Sequence, residues 1–78
     1  MITVKFYGKL RQLLGSEIKI EEEMKSIEDL LRFLAEKNEN IKKLKEHLIF
    51  SINQKQASLH DEIKDGDEVS VFLPPTGG

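Results

Sequence analysis

The stretch SIEDLLRFLAEKNEN, residues 26–40, holds the clearest helix in the chain, and a single apolar helix stripe needs a second layer to lie on. Ile27, Leu30, Leu31, Leu34 and Ala35 recur at i, i+3, i+4, i+7 and i+8, whereas Glu28, Arg32, Glu36 and Lys37 fall on the opposite side. Ser26 begins the helix as an N-cap, with Asp29 as the reciprocal carboxylate of an S-x-x-D capping box. The asparagines at 38 and 40 stop it, because Asn tolerates the left-handed conformation.

The second layer comes from alternating segments. Ile2, Val4 and Phe6 alternate with Thr3, Lys5 and Tyr7, the period-two pattern of a strand with one buried face. SEIKIEE repeats the pattern with Ile18 and Ile20 inward and Lys19 and Glu21 outward. Between them, GKLRQLLG reads as a short helical turn whose Leu10, Leu13 and Leu14 cover one end of the core. Beyond the main helix, Ile41, Leu44 and Leu48 suggest one or two further turns, HLIFSIN reads as a strand ending at Asn53-Gln54, and KQA as a short returning strand. Asp65-Gly66-Asp67 is a turn signal; after it Val69, Val71 and Leu73 point inward and Glu68, Ser70 and Phe72 outward, until Pro74 and Pro75 end the strand.

Two strands, a helix and two or more strands in an α+β chain is the order shown by the ubiquitin-like β-grasp fold, a mixed sheet with one main helix packed on one face plus short helical turns. The first and last strands are then central neighbours, and the helix covers the face carrying Ile2, Val4, Val69 and Val71. Tyr7 and Phe72 project from the uncovered face, joined by one of Ile49 and Phe50, and mark a partner contact surface. With 78 residues, the chain has room for one domain, residues 1–78, with residues 74–78 as an extended, flexible C-terminal tail.

Composition removes several classes of function. Twelve basic and fourteen acidic residues give a net charge of −2 and are interleaved, so there is no basic stripe for nucleic acid. The acidic tract from Asp61 to Glu68 reads as a solvated surface that could also attract a basic partner. Without cysteine there is no thiol nucleophile or thiolate metal site, and His47 and His60 lack metal-ligand spacing, so no metal is expected. The start, MITVKFYGK, lacks the basic and long apolar regions of a signal peptide, and no apolar run is long enough for a membrane span; a cytoplasmic location is the expectation.

The two ends carry a resemblance. MITVKFYGKLRQLLG at the start and INQ…DGDEVSVFLPPTGG at the close resemble the MoaD family, the sulfur carrier that forms the small subunit of molybdopterin synthase; the stretch between matches in element order more than in residues. The proline pair lies one step nearer the end than is common in that family, while Phe72 and the terminal glycines align without a gap. The resemblance implies that the carboxylate of Gly78 is adenylated by a ubiquitin-activating-type adenylyltransferase that uses ATP, and that sulfur displaces AMP to leave a C-terminal thiocarboxylate. It further implies that the large subunit of molybdopterin synthase, within a heterotetramer, receives the tail in its catalytic pocket and passes the sulfur to a pterin precursor. This chain is then the non-catalytic subunit and binds no cofactor itself.

The tail suits insertion. Gly77 and Gly78 carry no side chain to block a narrow channel, Pro74 and Pro75 hold the stem extended and lower the entropy lost on entry, and Thr76 can hydrogen-bond inside the channel. The carrier of thiamine biosynthesis also ends in Gly-Gly on this fold but is typically shorter. A ubiquitin-like modifier joined through Gly78 to lysines would use the same activated end.

Overall fold

A computed structural model of the chain describes residues 1–74. Its elements run in the order β1 (Ile2–Phe6), α1 (Lys9–Leu14), β2 (Glu17–Ile20), α2 (Ile27–Lys37), α3 (Glu39–Leu44), a 3-10 turn (Lys45–His47), β3 (Ile49–Ile52), β4 (Lys55–Ala57) and β5 (Glu68–Phe72). The five strands form one mixed sheet in the order β2-β1-β5-β3-β4. β1 and β5 lie side by side and parallel at its centre, and the other neighbouring pairs are antiparallel. This is the ubiquitin-like β-grasp arrangement, α+β, with the main helix on one face of the sheet.

Alternation decides which side chains meet that helix. Ile2, Val4 and Phe6 of β1 and Val69 and Val71 of β5 are buried, together with Ile20 and Phe50 from the flanking strands. They pack with Ile27, Leu30, Leu31 and Leu34 of α2, Leu10 of α1 and Ile41 of α3 in one cluster. Ile18 is only half-buried because β2 is an edge strand, although its parity is the expected one. Leu13, expected in the core, is 38% exposed. Helix α1 has under two turns, and its line from Leu10 to Leu14, four residues apart, faces the sheet and leaves Leu13 at the rim.

The helix ends are built from side chains. The Ser26 hydroxyl accepts from the amide of Asp29 at 3.3 Å, as the capping box predicts, but the Asp29 carboxylate reaches the amide of Lys25 at 3.1 Å. The first two amides of α2, Ile27 and Glu28, donate to the carbonyls of Asp61 and Leu59, so the β4–β5 loop satisfies a helix terminus that would otherwise need water. Asn38 does not adopt the left-handed conformation. It is extended (φ −148°, ψ 117°) and caps α3, its side-chain oxygen accepting from Asn40 and Ile41.

In the acidic tract, Asp61 accepts from the Ser58 amide at 2.7 Å and Asp67 from the Lys64 amide at 2.8 Å, so two of its carboxylates fold the loop itself. Gly66 sits at φ 91°, where a side chain would be strained. No helix among the described residues is long and apolar enough to cross a membrane.

Candidate functional site

The central parallel pair carries both the covered and the uncovered face of the sheet. Because Val71 points to the helix, Phe72 must point away, and because Phe6 points to the helix, so must Tyr7. The register sets Phe6 beside Val71, and the Tyr7 amide continues the ladder by donating to the Val71 carbonyl at 3.3 Å. The two outward rings therefore meet. Their centroids are 4.9 Å apart with 11° between the planes, a stacked pair on open surface.

A third apolar side chain completes the patch. Ile49 pairs with Phe72 across β3 and β5 and is 40% exposed, close to Tyr7 at 42% and Phe72 at 37%. Of the two residues the sequence left open, Ile49 joins the surface and Phe50 enters the core at 4% exposure. The patch borders a shallow depression of about 440 Å³ whose other lining includes Ser51, Ser70, Gln54 and Gln56.

Next to the rings the face becomes charged. The Lys5 ammonium lies 3.0 Å from the Glu68 carboxylate across the central strand pair. Its hydrogen bond to Glu68, and secondly the Coulombic attraction of the same carboxylate, hold the Lys5 pKa above its ordinary value. The apolar patch is thus bounded by a neutralised ion pair on one side and by amide and hydroxyl groups on the other.

Of the residues expected in the site, the structure brings Tyr7 and Phe72 together. Pro74 follows the half-buried Leu73 at the exit from β5 and is itself half-buried. Pro75, Thr76, Gly77 and Gly78 lie outside the described residues. His47 and His60 are exposed. Sequence reasoning passed over Gln54 and Gln56; the signal was present in the Asn53-Gln54 pair between two short strands, a two-residue hairpin with Gln in the place usually taken by Gly.

The ThiS family matches residues 4–78 of this chain. The molybdopterin synthase sulfur carrier subunit of Haemophilus influenzae is 33% identical, and that of Escherichia coli 31%, each over 100% of both chains. The solved complex of subunits 1 and 2 of the molybdopterin-converting factor from Helicobacter pylori contains a chain that superposes with a TM-score of 0.69 at 23% identity, covering 99% of this chain and 97% of that one; that likeness is one of fold. With a family match over all but the first three residues and two relatives above 30% identity from end to end, this chain belongs to the ThiS family and is similar throughout to molybdopterin synthase sulfur carrier subunits.

Proposed function

We propose that this protein is a cytoplasmic sulfur carrier for molybdopterin synthesis, working through its C-terminal glycine as the non-catalytic small subunit of molybdopterin synthase. The observation that carries the reading is the end-to-end similarity to two sulfur carrier subunits in a chain that itself closes on Gly77-Gly78. A free carboxylate is a poor acyl donor. Attack of the Gly78 carboxylate on the α-phosphate of ATP, bound by a separate adenylyltransferase, releases pyrophosphate and leaves an acyl-adenylate. Hydrosulfide then adds at the acyl carbon and expels AMP, and the resulting thiocarboxylate is the form that donates sulfur to the pterin precursor.

The domain has two tasks in this scheme: to be held by a partner and to present its end. The stacked Tyr7–Phe72 pair and Ile49 supply the apolar anchor, located where β5 gives way to Pro74. The partner is the large synthase subunit. In support, the fold neighbour from Helicobacter pylori was solved as a complex of the two converting-factor subunits. Two copies of each subunit would give the heterotetramer.

The test is the intact mass of the protein isolated from its own cells under mild, thiol-free conditions, beside a variant lacking Gly78. The expected result is a wild-type species with one oxygen replaced by sulfur, absent from the deletion. An unmodified mass, with larger species linked through Gly78 to lysines, would replace this reading with that of a protein modifier.

A further inference from the structure

The turn between β3 and β4 consists of Asn53 and Gln54, flanked by the paired residues Ile52 and Lys55. Both have positive φ, 50° and 72°, as the two-residue turn that matches strand twist requires. Asparagine suits the first place, and here it is fastened in. Its side-chain oxygen accepts from the Glu68 amide at 3.0 Å and its nitrogen donates to Asp67 at 2.9 Å. The second place favours glycine, since a Cβ in the left-handed region is strained.

Gln54 occupies that second place without such compensation. Among the described residues, the side-chain hydrogen bonds that fix this turn are made by Asn53. The Gln54 side chain is instead exposed and lines the depression beside Tyr7 and Phe72. Gln56 lies on the same face, opposite Ser51 in the β3–β4 register, and lines the same depression. A long carboxamide is thus kept at a backbone position that would relax as glycine, and it borders the apolar patch.

We propose that Gln54, with Gln56 beside it, is a specificity-determining residue for the protein that takes up the tail, its carboxamide hydrogen-bonding polar groups that rim the apolar surface seated on Tyr7 and Phe72. The inference rests on the carrier reading and names the polar half of the same docking surface. A carboxamide offers a donor and an acceptor together, so it matches a partner's main-chain or side-chain amide and penalises a surface that presents only apolar atoms. The occupant is the large synthase subunit, because the end-to-end relatives are sulfur carrier subunits of that enzyme and β5, which places Phe72 on this face, leads through Leu73 and Pro74 toward the tail.

The experiment compares wild type, Gln54→Gly and Gln54→Ala in the full chain, measuring melting temperature and the dissociation constant for the large synthase subunit of the same organism. Gln54→Gly should raise the melting temperature by about 4 °C and weaken binding about fivefold or more. Gln54→Ala should weaken binding similarly without the thermal gain. A glycine variant that is more stable and binds like wild type overturns the proposal, as does one that is no more stable, because the glutamine would then belong to the fold. Loss of binding by glycine but not by alanine also overturns it, assigning the effect to turn flexibility. Failure of the wild type itself to bind the large subunit would sink the carrier reading and this inference together; binding indifferent to residue 54 sinks the inference alone.

Discussion

At the scale of single residues, the docking role proposed for Phe72 is separable from its part in the fold. It is partly exposed and stacks on Tyr7, so truncation to alanine removes one aromatic contact and costs the fold about 1 kcal/mol. At the centre of the docking surface proposed for the large subunit, the same truncation is expected to weaken binding by about 2 kcal/mol. Denaturation and calorimetric titration of Phe72→Ala measure the two effects separately; equal losses in both would contradict the assignment. The Lys5–Glu68 pair predicts a pH dependence. Its bond to Glu68 raises the Lys5 pKa in the folded state, so the stabilisation is fully present below the unfolded value of 10.5 and is lost as pH rises through the higher folded value. The denaturation midpoint should therefore fall less steeply above pH 10.5 in Glu68→Gln than in wild type.

At the scale of elements, helix ends are the points of leverage. Asn38 closes α2 by opening α3, its side-chain oxygen satisfying the amides of Asn40 and Ile41. Asn38→Ala should cost about 1 kcal/mol, while Asn38→Gly should cost only a few tenths, because the backbone there is extended and gains nothing from left-handed freedom. If the stop depended on a left-handed residue, glycine would instead stabilise; thermal melts of both variants decide. The composition of the segment marked a boundary correctly, but its mechanism depended on a second helix starting at once. Likewise the capping box was legible from Ser26 and Asp29, yet the carboxylate bonded Lys25. A three-residue spacing says which groups are within reach, not which of two neighbouring amides is turned toward them.

At the scale of the whole molecule, one core joins both ends of the chain. Leu30 is fully buried between α2 and the sheet. A chain of 78 residues has about 4–12 kcal/mol of stability in total. Leu30→Ala should remove about 3 kcal/mol, lowering the urea midpoint with little change in slope. The β-grasp order and the helix-facing set from Ile2 to Val71 were legible in the sequence because periods of two and 3.6 are properties of each segment alone. Tertiary structure alone decided that Tyr7 stacks on Phe72, that Ile49 rather than Phe50 joins them, that Leu13 stays outside, and that Gln54 lines the depression beside them. Parity tells a side chain which face to occupy; only pairing between segments distant in sequence, in one register, tells it which neighbours it will have there.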